Sequence, residues 1–430
     1  MNKEILRLAI PNIISNVSVP MLSTVDTILM GHLSGLHLGA VGIGSMIFNF
    51  LYWNFGFLRM GTTGLTAQSF GRKDEKEMGV VLGRALLTAV SIGLILILIQ
   101  QPFWEIGSVL MNVSPDHMNL VEQYFSIRIL AAPATLALYS LMGWYFGMQN
   151  ALYPLWITIF LNLVNIILSA LLVLHFGMEV KGVAFGTLIA QYLGVIFAIV
   201  LLFHKYPALL KQIVFKAILV KSEFFAFFKL NKDIFIRTLC LSFVFAFFYS
   251  QSSKSGELVL ASSVILLQFL NWMSYGIDGF AFAAESLTGK YFGSGNDRML
   301  DKTIWHSFYW GGAMGLLFTF IFWLGKDQLI GAFTQDELVK AATSRDYLWI
   351  IILPLIGFGS YIWDGIFVGL TAGKSMRNSM FLSFAVYFLL YFGFREMAGT
   401  QALWIALLGF LAARAFFQSA LYFRYGKNLR

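Results

Sequence analysis

An all-α polytopic membrane protein is the fold class this sequence predicts, and three observations predict it. Of 430 residues, 58% are hydrophobic and 12% charged, against about 25% charged in an ordinary soluble domain. So few polar groups cannot coat a soluble body of this size. Apolar runs of about 20 residues, the length that crosses a hydrocarbon core, recur along the whole chain. They are long and continuous, where a transmembrane barrel needs short alternating segments. The net charge of +8 reports topology rather than an affinity for nucleic acid.

Twelve spans follow, at 8–31, 38–67, 79–101, 121–147, 152–176, 182–203, 233–253, 257–289, 303–325, 346–371, 379–394 and 401–423. The opening MNKEILRLAIPNIISNV has no small-residue cleavage site and reads as the first retained helix. With the N-terminus inside, nineteen Lys and Arg fall in the inner connections and six in the outer ones. That bias places both ends in the cytoplasm and requires an even number of spans. The longest inner connection, His204 to Asp233, mixes Lys with apolar residues at helical spacing. It reads as an amphipathic segment along the cytoplasmic surface. The expected organisation is an N-lobe of six spans over 1–203, a linker over 204–232, and a C-lobe of six spans over 233–430. The one cysteine, Cys240, excludes an intrachain disulfide.

The two halves repeat. A shift of 222 positions carries Leu8 and Ile13 onto Leu230 and Phe235, Asn49 onto Asn271, Phe70-Gly71 onto Phe292-Gly293, and Gly147 onto Gly369. Six spans per half give both halves one orientation. They are therefore parallel repeats about an axis along the membrane normal, a transporter plan with substrate between the halves.

Chemistry concentrates on Asp26, the one carboxylate in SVPMLSTVDTILMGHLSG (18–35). An acid at a helix centre costs about 2.5–3.5 kcal/mol on insertion scales, less toward the interface. Desolvation favours the neutral form of a carboxylic acid, the condition a proton-exchanging group needs. The shift places Phe248 opposite Asp26, so the fold itself does not demand an acid there. A packing acid near a helix end is the structural alternative, but intramembrane ionisable groups are functional by default. Pro11 and Pro20 lie on the same span; each removes a helix N–H and can bend it. An acid on a bendable helix suits a group that changes protonation state as the helix moves.

The other intramembrane charges are Arg59, Arg84, Arg128, Arg237, Asp278, Glu285, Asp364 and Arg414. Arg84 and Arg414 are placed to snorkel. Asp278, Asp364, Arg237 and Glu285 are candidates for a C-lobe cavity; buried structural ion pairs with Arg237 are the alternative. The 43 Phe and 17 Met could line an adaptable cleft for large apolar cations, although most such side chains pack or face lipid. GVAFG at 182–186 is a small-residue motif for close helix packing. GLTAGKS at 369–375 has one residue too few between its glycines for a phosphate-binding loop and follows no strand. No HExxH, paired Cys/His set or GxSxG is present. Nothing supports ATP drive, a cofactor, a metal or an enzyme.

The stretches STVDTILMGHLSG, FLRMGTTGLTAQSFGRKD, LNKDIFIRTL, YGIDGFAFAAESLTGKYFG and DGIFVGLTAGKSMRNSM lie in both halves. On them the chain resembles the multidrug and toxic compound extrusion (MATE) transporters, most of all their DinF branch. The resemblance implies twelve helices in two six-helix lobes and cation-coupled efflux by alternating access. It implies that Asp26 binds a proton or Na⁺ in an N-lobe cavity and that its helix bends at Pro11. It implies that Asn165 and Thr187 complete that site, with Ser169 where relatives carry an Asp. Leu241 lies near the span-seven Glu of some relatives, and Asp364 falls on their span-ten acid. Losing a charge at Ser169 favours H⁺ over Na⁺ as the coupling ion.

The reading is a secondary active multidrug and toxin efflux antiporter. It exchanges H⁺, with Na⁺ the alternative ion, for small organic, cationic or amphipathic substrates. It is a cofactor-free monomer in contact with membrane lipid and not with nucleic acid, placed in a bacterial-type cytoplasmic (inner) membrane. The alternatives are a lipid-linked precursor flippase and, from another class, an intramembrane enzyme.

Overall fold

The computed structural model describes residues 1–31, 33–111, 113–211 and 215–426, apart from the side chains of 19–24, 215 and 425. Among the described residues every regular element is helical. Helix α1 spans Asn2–Gly31, 30 residues. Eleven further helices are long and apolar enough to cross a membrane: α2 Gly35–Arg72, α3 Glu75–Leu98, α4 Pro115–Gly147, α5 Leu152–His175, α6 Glu179–Lys205, α7 Lys221–Lys254, α8 Glu257–Gly293, α9 Asp297–Leu324, α10 Leu348–Gly369 and α11 Gly373–Ala398, closed by α12, Gln401–Tyr425. With α1, the described residues contain twelve long helices, the number expected. The eleventh helix, marked at 379–394 from the sequence, runs for 26 residues. Its polar opening, GKSMRNS, is helical although Gly, Ser and Asn are weak helix formers, because burial of Gly373, Met376 and Ser379 overrides intrinsic propensity.

The chain divides into two compact units, Ile14–Phe228 and Met1–Ile13 with Lys229–Arg430. The start of α1 is tied into the second unit by Glu4, which takes the Lys290 ammonium at 2.9 Å and the Tyr291 hydroxyl at 2.8 Å.

The repeat is written into the backbone. Left-handed residues occur at Lys73 and Gly295, at Gln149 and Thr371, and at Gly177 and Gly399, each pair separated by the same 222 positions. The N-cap of α3, Asp74, accepts from Glu77 N, and that of α9, Asn296, accepts from Met299 N. These caps satisfy helix-start N–H groups that have no intrahelical acceptor. Close helix crossings repeat as well. A Cβ on Gly143 would strike the Arg59 carbonyl of α2, and one on Gly365 the Ala281 carbonyl of α8. One step further, Gly147 meets Thr66 and Gly369 meets Thr288. Backbone-to-backbone approach is how membrane helices gain dispersion contact without a hydrophobic drive. Gly365→Val is therefore expected to lower the yield of monodisperse protein sharply, since overpacking costs about 1–3 kcal/mol or more. Gly143→Val should do the same, and size-exclusion profiles of the two variants in detergent check it. Wild-type profiles for both would show that the crossings are not tight.

The linker is less regular than its pattern suggests. It contains two single turns, Pro207–Leu210 and Phe215–Ile218, before α7 begins at Lys221; positions 212–214 fall outside the described residues. Arg84, expected to snorkel, holds the linker instead. It donates to Ala217 O at 2.9 Å and Ile218 O at 3.3 Å, and pairs with Glu77 at 3.3 Å. A guanidinium with five donors can satisfy the open carbonyls of a frayed turn, which a lipid headgroup cannot do so specifically.

Candidate functional site

Asp26 lies in the last two turns of α1 and is partly buried, with its Oδ1 fully enclosed. The Ser169 hydroxyl is its side-chain hydrogen-bond partner, and the Arg128 guanidinium acts on it through space. Ser169 leads to the other residues expected at this site. Its hydroxyl faces Asn165 Oδ1 at 3.5 Å, Asn165 Nδ2 donates to Thr187 Oγ1 at 2.8 Å, and Thr187 donates to Val183 O at 3.0 Å. Asn165, Ser169 and Thr187 are all buried.

The local sequence explains the arrangement. Asn165 and Ser169 are four apart and share one face of α5, and α5 then closes in a five-residue π turn, Leu171–His175. GVAFG lets α6 reach that turn. A Cβ on Gly186 would meet Ser169 Oγ at 2.5 Å, and one on Gly182 would meet Val173 at 2.9 Å. Pro11 lies within α1, which is continuous through it; the side chain of Pro20 lies outside the described residues.

The sequence shows Arg128 only as an intramembrane charge. It sits midway along α4, one residue before a 3-10 turn, Ile129–Ala131. Its Cζ lies 5.4 Å from the centre of the Phe48 ring. Tyr124 on the preceding turn, Tyr52 on α2 and Asp26 are the groups that act on it. Tyr139 feels both Arg128 and Arg59, and Arg59 stands over Phe146 at 6.0 Å. At the equivalent of Asp26, the second half has Phe248, fully buried and edge-on to Trp404 at 4.9 Å. The ionisable cluster is therefore a property of the first half alone.

The second half holds a different cluster. Asp364 accepts from Arg237 and from Arg414 on the same oxygen, Oδ2, and from Gln418 Nε2 on Oδ1 at 2.8 Å. All four side chains are buried. Arg414 does not snorkel: at 3% exposure its charge is inside, with an acid to neutralise it. Asp278 acts on Arg237 and on Tyr361, and Tyr361 shares a 2.7 Å contact with Ser274. Glu285 is buried further along α8, where its backbone meets Gly369. Of the two readings for these residues, Asp364 and Arg237 have the geometry of a buried ion cluster. One carboxylate between two guanidiniums and an amide accepts three hydrogen bonds, two of them charge-assisted. Arg414 and Gln418 were missed as partners; their i, i+4 spacing on one face of α12 was the available signal.

A separate cavity of about 240 Å³ opens among α9, α10 and α12, lined by Asp301, Trp305, Phe308, Trp363 and Tyr422 among others. It shares no residue with either cluster.

Comparison with known proteins covers nearly the whole chain. The MatE family model matches residues 11–171 and again 234–394, once per half. DNA damage-inducible protein F of Escherichia coli is 32% identical over 99% of this chain and 93% of its own length. A crystal structure of MATE in the bent conformation superposes with a TM-score of 0.89 at 18% identity, over 96% of this chain and 93% of that one. A crystal structure of MATE in complex with MaD3S does so with a TM-score of 0.88 at 19% identity, over 98% and 95%.

Proposed function

Since the chain belongs to the MatE family of transporters, we propose that it is a proton-driven exporter of small organic molecules, cationic or amphipathic, working by alternating access. Asp26 is the coupling acid. A proton taken up there neutralises the carboxylate, and its release restores the charge, so the acid differs between the transport states. Substrate leaves as the proton enters, which is antiport. Asn165, Ser169 and Thr187 support the acid with neutral oxygen and nitrogen atoms only. Multidrug and toxin extrusion is the family's activity; the exchange of H⁺ rather than Na⁺ is the specific reading for this chain. The protein acts as a monomer in a cytoplasmic membrane with both termini in the cytoplasm. Asp364 is a structural group rather than a second coupling site.

The observation that carries this reading is the position of Asp26 against Ser169 in the cluster that continues to Asn165 and Thr187. The test is efflux of a cationic dye from proteoliposomes under an imposed pH gradient or, separately, an imposed Na⁺ gradient. The pH gradient is expected to drive efflux and the Na⁺ gradient to leave it at the level without a gradient. Efflux that follows Na⁺ alone would end the proton assignment.

A further inference from the structure

The first half contains two opposite charges that are close but not joined. Asp26 Oδ1 and Arg128 Nε and Nη1 are all buried, and none has a hydrogen-bond partner. A buried guanidinium keeps its charge, and leaving one without an anion is costly. The groups around Arg128 on α2 and α4 are phenols, Tyr52 and Tyr124, with Tyr139 acted on by both it and the second cation, Arg59. Phenols are neutral near pH 7, so Asp26 is the acid placed to balance this guanidinium.

We propose that Arg128 is the built-in counter-cation of Asp26 and makes the site selective for protons over Na⁺. The inference rests on the reading of Asp26 as the coupling acid. When Asp26 gives up its proton, its charge is met by a cation that belongs to the protein, and none need come from solution. A Na⁺ ion at the same place meets two obstacles. It must exchange its water shell for protein oxygens, as hard cations require, and among the described residues the side-chain oxygens of this cluster belong to Asp26, Ser169, Asn165 and Thr187, with a single negative charge. It also meets the positive charge of the Arg128 guanidinium, which acts on Asp26 through space. The same repulsion acts on a proton. A proton, however, forms an O–H bond and leaves a neutral acid, the form that desolvation favours. Na⁺ remains an ion and keeps the full penalty. Arg128 thus acts through Asp26 as a specificity-determining neighbour, with no contact to substrate required.

The test compares wild type with Arg128→Gln, Arg128→Lys and Asp26→Asn. The first readout needs no variant: the thermal stability of purified wild-type protein in about 100 mM Na⁺ against K⁺ at equal ionic strength. No Na⁺-specific shift is expected. Arg128→Gln is expected to acquire such a shift, with Na⁺ affinity raised about tenfold or more by the loss of one facing charge, and to show efflux under a Na⁺ gradient. Arg128→Lys keeps the charge and should stay blind to Na⁺. A Na⁺-specific stabilisation of wild type that disappears in Asp26→Asn would overturn the proposal, whatever the Arg128 variants do. So would a folded, proton-driven Arg128→Gln that ignores Na⁺. Retained gradient-driven efflux in Asp26→Asn sinks the coupling reading itself, an outcome distinct from either of those.

Discussion

Asp26→Asn is expected to reduce gradient-driven efflux at least about tenfold while leaving expression near wild type and lowering thermal stability only modestly. A gradient does work only through a group that is bound differently in the two transport states. Asn keeps the size and the hydrogen-bonding reach toward Ser169 but cannot take up and release a proton. The stability half of the expectation follows from the same geometry. Asp26 Oδ1 already lacks a partner, and the equivalent position in the second half accepts a phenylalanine, Phe248. Removing the charge therefore breaks no directly bonded ion pair and withdraws only the through-space balance of Arg128. Efflux under a pH gradient, normalised to folded protein in the vesicles, decides the matter. Wild-type rates would move the coupling role elsewhere, and a large loss of stability would make Asp26 a packing acid after all.

Asp364→Asn should behave in the opposite way. It leaves Arg237 and Arg414 buried at 6% and 3% exposure with their shared anion gone. Breaking a buried ion group by removing one partner costs about 3–5 kcal/mol, which for a protein this large corresponds to an apparent melting shift on the order of 10 °C. Low yield and early unfolding in detergent are the expected result. Replacing the whole cluster with apolar residues, as Arg237→Met with Arg414→Met and Asp364→Leu, should recover much of that stability, because well-packed hydrophobic side chains often equal a buried triad. Proton-driven efflux should survive in the triple variant. A stable, folded Asp364→Asn that has lost efflux would instead make Asp364 a second coupling acid.

These two acids look alike in the sequence. Each is an isolated carboxylate in an apolar helix, and each lacks a counterpart 222 positions away. What separates them is which cations the fold brings near. Asp364 gains its second guanidinium from Arg414, 50 positions on, and an amide from Gln418. Asp26 is kept from direct contact with a guanidinium more than 100 positions away in the chain. Such pairings depend on helix rotation about its axis, and a one-residue turn of about 100° is invisible to composition. The polar path behind Asp26 was more legible. Asn165 and Ser169 share a face by spacing alone, and GVAFG announces the close approach that brings Thr187 to them.

The sequence by itself determined the membrane class, the number of spanning helices and the internal repeat. These follow from local quantities: the length of apolar runs set by bilayer thickness, and cap and glycine positions that recur at one offset. It also singled out Asp26, because an acid in hydrocarbon is expensive wherever it points. Only the tertiary structure decided which charges are spent on each other and which are left available. That outcome turns on distances of a few ångströms between side chains far apart in the chain, and electrostatic energy in a low-dielectric interior changes steeply over such distances.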